Sequence, residues 1–311
     1  MVRILVTGAA GFIGCALCLG LVERGHVVLG MTRRPAQPIP GVELCPIGDI
    51  GPGTDWSAHL DRIDVVVHLA TRAHRPGRDA ADNDEAQAAR ILARSAADAG
   101  VRRLVHMSSI RAMGDATPPG APFRGTDLPD PRDRYGRGKL AIERALLAAA
   151  SESGIEIVIL RPPLVYGPGV KANFRALMRL AASGLPLPLA RIDNRRSLIF
   201  IDNLVDLVGC ACLHPGAGGR VLLARDAADL STAELIRILA AELGRPARLF
   251  SVPQAALAAL RRVPKLGPPL ARLTLSLQVD DNETRAALDW QPPVSPEIGL
   301  AATATAFRAR S

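Results

Sequence analysis

Aromatic side chains, lysine and long apolar runs are all scarce in this chain of 311 residues. Aromatic residues make up 3% of it and the arginines are scattered, so the formal charge of +8 comes without a base-stacking platform or a basic stripe for nucleic acid. No apolar run is long enough to cross a bilayer, which predicts no membrane insertion. The chain starts directly in strand-like sequence without a charged leader, which predicts a cytoplasmic protein.

Cysteine is sparse too, with five in the whole chain. Cys15 and Cys18 form a C-x-x-C in the first expected helix, but no second pair or histidine cluster stands at ligand spacing. We therefore interpret both as small buried apolar side chains and predict no metal site.

Lysine occurs at three of the 38 basic positions, and one of the three, Lys139, follows a tyrosine at helical spacing. Lys139 follows Tyr135 by four residues in the string DRYGRGKLAIE, so the two lie one turn apart on one face of a helix. A nearby cation favours a phenolate, which predicts a lowered pKa for Tyr135 and proton exchange by its hydroxyl. The alternative is a chance spacing on an ordinary helix.

Apolar β-branched runs alternate with helical patterns through the first half of the chain. Helices are expected over about 80–99 and 135–152, between runs such as IDVVVHLA and IEIVILRP. This pattern predicts an α/β fold with a Rossmann-type, doubly wound parallel sheet. We expect a dinucleotide-binding domain over 1–165 with a returning segment near 196–213. The smaller, mixed α/β substrate-binding region would comprise 166–195 and 214–311.

A glycine-rich turn follows the first strand. Gly8, Gly11 and Gly14 form G-x-x-G-x-x-G between a strand and a helix, the context that lets a backbone approach a pyrophosphate. The glycines and the adjoining Phe12 and Ile13 are therefore predicted to bind a dinucleotide.

The end of the second strand carries arginine where many dinucleotide-binding folds have an acid for the ribose hydroxyls. Thr32, Arg33 and Arg34 stand there, and guanidinium groups suit a 2′-phosphate. This predicts a preference for NADP, with NAD possible; the alternative is a pair of solvated arginines. Asp49 and Ile50, after the third strand, are predicted to flank the adenine.

Several motifs occur in an order that resembles the extended short-chain dehydrogenases/reductases. They are TGAAGFIG, the HLA at 68–70, Ser108-Ser109, YGRGK and RPPLVYGPG, and the likeness runs from about residue 4 to 300. These are NAD(P)-dependent epimerases, dehydratases and reductases of nucleotide sugars. Within the family the chain most resembles bacterial UDP-glucose 4-epimerase-like proteins and 4-reductases of UDP-4-keto-6-deoxy-N-acetylglucosamine.

The resemblance implies a role for each matching residue. Tyr135 would be the general acid/base, Lys139 would bind the nicotinamide ribose, and Ser109 would orient the substrate oxygen. Further implied cofactor contacts are Leu69, Ala70, Thr71, Ser108, Arg161 and Pro162. Implied substrate contacts, besides Ser109 and Tyr135, are His74, Asn173 and Arg196.

One departure from the family narrows the chemistry. Its 4,6-dehydratases have an Asp-Glu pair where this chain has Ile110-Arg111, which argues against dehydration. The expected function is therefore NADP-preferring 4-reduction of a UDP-4-keto (6-deoxy-N-acetyl) hexose in surface-polysaccharide synthesis. The alternatives are an NAD-dependent UDP-sugar 4-epimerase, a reductase of a non-sugar carbonyl, and a catalytically silent dinucleotide-binding subunit or sensor. Fold analogy suggests a homodimer.

Overall fold

The computed structural model describes residues 1–71, 80–264 and 267–309. The strands of this part are β1 (Arg3–Thr7), β2 (Val27–Thr32), β3 (Val42–Pro46), β4 (Val65–His68), β5 (Arg103–Met107), β6 (Glu156–Arg161), β7 (Leu164–Tyr166), β8 (Leu198–Phe200) and β9 (Val221–Leu223). Its α-helices are α1 (Phe12–Glu23), α2 (Ala80–Asp98), α3 (Arg134–Ser153), α4 (Ala172–Ala182), α5 (Ile201–Leu213), α6 (Thr232–Glu242), α7 (Gln254–Leu260), α8 (Gly267–Thr274), α9 (Asn282–Leu288) and α10 (Pro296–Arg308). No helix in these described ranges is both long and apolar enough to cross a membrane.

Seven strands form one parallel sheet in the order β3-β2-β1-β4-β5-β6-β9. Helices cover both faces of the sheet, so the central strands are buried on both sides; all four residues of β4 are buried. The predicted Rossmann-type fold is confirmed. The strand order reverses between β1 and β4, where the carboxyl ends of the strands open a crevice for a ligand.

The last strand of the sheet was not expected there. β9 pairs with β6 through Ile159–Val221 and Leu160–Leu222, so the chain returns to the sheet as far as residue 223 rather than 213. Three residues carry too short a pattern to distinguish an edge strand of this sheet from a strand of another layer. The remaining boundaries of the expected substrate-binding region stay a prediction.

A smaller parallel pair, β7 with β8, is fixed to the chain after β9 by one buried carboxylate. Asp226 accepts hydrogen bonds from the Tyr166 hydroxyl at 2.7 Å, the Phe200 N–H at 2.9 Å and the Asn203 side-chain amide at 2.8 Å. A buried carboxylate needs such donors because its charge is otherwise costly to remove from water. Asp226 therefore joins β7, β8 and the start of α5 beside the main sheet.

Candidate active site

The glycine turn is compact because each of its glycines lies close to backbone. Gly8 has a φ of 74°, the left-handed region that favours glycine, and a side chain there would lie 3.2 Å from the Ala70 nitrogen. A Cβ at Gly14 would clash with the Gly8 carbonyl oxygen. Gly11 is the N-cap of α1 and provides no side-chain cap, so backbone N–H groups of the first turn are available to an anion.

Thr7, at the end of β1, fixes the neighbouring loop after β4. Its hydroxyl oxygen accepts the N–H groups of Leu69 and Ala70, both at 3.1 Å, and lies 2.9 Å from Nδ1 of His68. Burial, with the charge of Lys139 as a second cause, lowers the pKa of His68 to about 3, so its ring is neutral at pH 7. Sequence reasoning missed the roles of Thr7 and His68, because they depend on contact between strand ends 61 positions apart.

A cavity of about 410 Å³ opens beside the glycine turn, and we call it the glycine cavity. It runs from the turn across the ends of β1, β2 and β4, as the strand order requires. The residues expected to bind the cofactor that line it are Gly8, Gly11, Thr32, Arg33, Asp49, Ile50, Leu69, Ala70 and Thr71. Phe12, Ile13 and Gly14 begin α1 behind the turn, and Arg34 is exposed beside Arg33.

Charges of both signs meet at the edge of the glycine cavity. Nη1 of Arg33 lies 3.8 Å from a carboxylate oxygen of Asp49, and both side chains are about half exposed. An exposed pair at this distance is weak, so the guanidinium can turn toward another anion at little cost.

The Tyr135–Lys139 pair lies on the first turns of α3, as predicted. Asp133 caps this helix by accepting the Gly136 N–H at 2.7 Å. The Lys139 ammonium is buried and donates to the Met107 carbonyl oxygen, at the end of β5, at 2.7 Å. Burial lowers the pKa of Lys139 to about 8, against the opposing influence of Glu85 and Glu143.

The electrostatics of Tyr135 differ from the expectation. Burial of its hydroxyl raises the pKa above the ordinary value, although 38% of the residue as a whole is exposed. A hydrogen bond from Ser109 and the charge of Arg111 act in the opposite direction, while Asp133 adds to the rise. The predicted lowering by Lys139 is therefore wrong for the protein alone. The lysine is held by a carbonyl of β5, and the cation that acts on the phenol is Arg111.

A buried ion pair lies beneath these residues. Arg161 binds Glu143 through two nitrogens, at 3.0 and 2.5 Å, and Ser108 donates to the same carboxylate. Glu143 follows Lys139 by one turn of α3, so the pair joins the catalytic helix to the ends of β5 and β6. The cofactor contacts expected of Ser108, Arg161 and the adjacent Pro162 stay predictions, since the first two use their side chains here.

A second cavity, of about 460 Å³, lies beyond Tyr135, and we call it the arginine cavity. Four of the five residues expected to bind substrate line it: Ser109, Tyr135, Asn173 and Arg196. The fifth, His74, lies outside the described residues. The structure therefore brings together residues that are up to 87 positions apart in the sequence.

Three arginines contribute to the arginine cavity, of which sequence reasoning assigned one to substrate. Nη1 of Arg196 donates to the carbonyl oxygens of Arg272, at 2.8 Å, and Leu275, at 3.1 Å. Burial and the nearby charge of Arg111 lower the pKa of Arg196 to about 10, so it stays charged at pH 7. Arg272 also lines the cavity, with Nη1 3.5 Å from the Asn173 side-chain oxygen. Its position on α8 carried no motif that could have identified it.

Arg111 joins the substrate side of the site to the catalytic helix. Its backbone N–H donates to the Ser109 hydroxyl at 3.2 Å, and its side chain binds Asp133, the cap of α3, at 2.6 Å. A side chain at Gly136 would clash with the Arg111 carbonyl oxygen, so the two backbones touch. Arg111, which stands where the dehydratases have an acid, therefore connects Ser109 to the first turn of α3.

Together, the glycine turn, the Tyr-Lys helix and the neighbouring serine on a doubly wound sheet define an NAD(P)-dependent enzyme of the short-chain dehydrogenase/reductase type. The chain belongs to the NAD dependent epimerase/dehydratase family, whose model matches residues 4–223. The relatives of known structure include the UDP-glucuronic acid 4-epimerase of Bacillus cereus in complex with NAD. It shares the fold, with a TM-score of 0.79 over 99% of each chain at 24% identity.

Two relatives in sequence bear the names of nucleotide-sugar enzymes. UDP-glucose 4-epimerase of Vibrio cholerae is 39% identical over 98% of this chain and 95% of its own length. The dTDP-6-deoxy-L-talose 4-dehydrogenase (NAD(P)(+)) of Kitasatospora kifunensis is 31% identical over 81% of this chain and 82% of its own. Both names denote chemistry on nucleotide sugars, and the first favours the epimerase alternative over the expected 4-reductase.

Proposed function

We propose that this protein is an NAD-linked 4-epimerase of a UDP-hexose. The observation that carries the proposal is the arrangement of Ser109 and Tyr135 in the arginine cavity, since α3, which carries Tyr135, also lines the glycine cavity through Ile142. The 39% identity with the Vibrio cholerae UDP-glucose 4-epimerase supports this choice over the 4-reductase.

The chain's own residues would handle the proton. NAD, held by the glycine turn and the ends of β1, β2 and β4, would supply the hydride acceptor and later the donor. Tyr135 would act as a phenolate, which the positive charge of bound NAD would favour against the effect of burial; it would take the proton of the sugar C4 hydroxyl and return it to the same oxygen after the sugar has turned in the cavity. Ser109 would hydrogen-bond that oxygen in both half-reactions. Because the proton and the hydride are both returned to the sugar, neither is consumed overall.

The cations of the arginine cavity fit the rest of such a substrate. A diphosphate carries several anionic oxygens, which guanidinium groups bind by charge-assisted hydrogen bonds. Arg196 is partly buried and fixed by two carbonyls, whereas Arg272 is exposed and contacts Asn173. We assign the diphosphate to these two arginines and the sugar to the Ser109–Tyr135 end.

NADPH-dependent 4-reduction of a UDP-4-keto sugar is the second candidate. The exposed Arg33 at the glycine cavity, with no acid at the end of β2, favours it because it suits a 2′-phosphate. An epimerase retains its cofactor through the cycle, whereas a reductase must release it at each turnover. The homodimer and the cytoplasmic location remain predictions.

One experiment separates the two candidates. The purified protein is incubated with UDP-galactose and NAD, and separately with a UDP-4-keto-6-deoxy sugar and NADPH or NADH, while products and absorbance at the nicotinamide band are followed. Interconversion of UDP-galactose and UDP-glucose without net change in absorbance is the expected result. Steady NADPH oxidation with the keto sugar, and no interconversion, would replace the epimerase by the reductase.

A further inference from the structure

The net positive charge of this chain is confined to two stretches that the proposed function leaves largely unused. Residues 157–192 and 243–279 contain eleven Lys and Arg and no Asp or Glu. The rest of the chain has 27 Lys and Arg against 30 Asp and Glu, a net charge of −3. The arginines are distributed along the whole sequence, but the excess of positive over negative charge falls within these two stretches.

The two stretches meet in the fold. Leu187 and Leu249 form a parallel bridge, and the N–H of Leu187 donates to the Arg248 carbonyl oxygen at 2.8 Å. The Phe250 N–H returns a bond to Leu187 at 2.9 Å. The two acid-free stretches therefore touch, and we call them together the basic region; they include α4, α7 and α8.

Most cations of the basic region lie outside the arginine cavity. Those that are exposed and do not line it include Lys171, Arg175, Arg179, Arg191, Arg245, Arg248 and Arg262. Among the described residues, Arg245, Arg248 and Arg262 have no ion-pair partner. Binding of one nucleotide sugar needs two or three cations, so it does not account for this number.

The basic region also exposes large apolar side chains. Leu185 is 61% exposed and Phe250 47% exposed, and Leu260 and Val263 are exposed as well. On α7 Leu257 is buried in the core, whereas Leu260, the last residue of the helix, is exposed. Exposed apolar groups add nothing to the capture of a small hydrophilic anion, but they add affinity for a surface with an apolar interior.

We propose that this basic region binds the surface of an anionic lipid bilayer. Interfacial binding combines electrostatic attraction to anionic headgroups with shallow burial of apolar side chains, and an acid-free, Arg-rich segment with exposed Phe, Leu and Val supplies both. The mouth of the arginine cavity lies in the same region, since Asn173 and Arg272 belong to α4 and α8. Bilayer binding would thus place the nucleotide-sugar opening next to the membrane.

Co-sedimentation with vesicles tests the proposal. Wild-type protein should bind vesicles of 30% phosphatidylglycerol in phosphatidylcholine, bind pure phosphatidylcholine at least tenfold less, and be released by 0.5 M NaCl because salt screens the attraction. The triple variant R245Q/R248Q/R262Q should lose binding by roughly a hundredfold, and L260S/V263S by several-fold. Epimerase activity in free solution should stay at the wild-type level in both, which also shows that they fold.

A matched control distinguishes the effect of total charge from the effect of the basic region. R62Q/R144Q/R308Q removes three exposed arginines outside both stretches and should bind anionic vesicles as wild type does. Equal loss in the control would mean that only total charge matters, and no binding by wild type would also overturn the proposal. If vesicles do not bind but the first triple variant lowers kcat/KM in a salt-dependent way, the region steers substrate instead.

Discussion

The glycine cavity and the arginine cavity are both lined by α3, through Ile142 in one and Tyr135 in the other, but they are built differently. The glycine cavity depends on backbone: a left-handed Gly8, a helix start without side-chain cap, and two N–H groups held by Thr7. The arginine cavity depends on long side chains from segments far apart, Arg111, Arg196 and Arg272 among them. A site built from backbone suits a ligand that stays the same across a family, such as a cofactor. A site built from side chains can acquire a different ligand through amino-acid substitutions.

Removing the phenol oxygen of Tyr135 from the arginine cavity should have the largest effect. Tyr135→Phe should lower kcat by about 10²- to 10⁴-fold, since a positioned acid/base contributes that much, and leave NAD affinity unchanged. Steady-state turnover with UDP-galactose measures kcat, and a binding titration measures the affinity for NAD. Turnover within threefold of wild type would contradict the assigned role, and a parallel loss of NAD affinity would mean that the cavities are not separable here.

The buried ion pair beneath both cavities should be the next most sensitive. Glu143→Gln leaves the Arg161 guanidinium buried without its anion and should lower the free energy of unfolding by about 3–5 kcal/mol. Urea unfolding followed by circular dichroism measures it. Glu152→Gln is the control on the same helix, because Glu152 pairs with Arg90 and Arg94 at the surface. A similar loss in both variants would refute the special weight given to the buried pair.

A single methyl group should disturb the glycine cavity alone. In Gly14→Ala the new Cβ clashes with the Gly8 carbonyl oxygen, so the turn must open; we expect a cost of about 1–3 kcal/mol and weaker NAD binding. Calorimetric melting and NAD titration test this. Gly53→Ala serves as control, because a Cβ there meets nothing within 4 Å. Unchanged NAD affinity in Gly14→Ala would show that the turn adapts.

The smallest expected effect concerns the arginine cavity alone. Arg272→Gln should raise KM for the nucleotide sugar about tenfold, as expected for one lost charged hydrogen bond, with little change in kcat and none in NAD affinity. Steady-state kinetics of Arg272→Gln and of Arg237→Gln, an exposed arginine that does not line the cavity, give the comparison. A fall in kcat at constant KM would move Arg272 from binding to the chemical step.

The same contrast explains what could be predicted from the sequence. The parallel sheet, the glycine turn and the Tyr135–Lys139 spacing follow from local patterns, because strand runs, turns and helix faces are set by neighbours in the chain. Contacts between distant parts of the sequence could not be predicted in this way. The Glu143–Arg161 pair, the hydrogen bonds of Thr7 and the contact of Arg272 with Asn173 join residues from 18 to about 100 positions apart. The direction of the Tyr135 pKa shift was wrong for the same reason, since burial is a property of the folded chain.

The pairing of β9 with β6 has a consequence for synthesis on the ribosome. β6 ends at Arg161, but the strand that covers its edge ends at Leu223, 62 residues later. At ordinary elongation rates of about 5–20 residues per second, the nascent chain carries an open strand edge for roughly 3–12 seconds. Asp226, which locks β7 and β8 through Tyr166 and Phe200, emerges just after β9. Synthesis of residues 221–226 thus allows β9 to cover the edge of β6 and Asp226 to bind β7 and β8. A nascent chain arrested before these residues would keep the edge of β6 open to aggregation, whereas one arrested after they emerge could pair it.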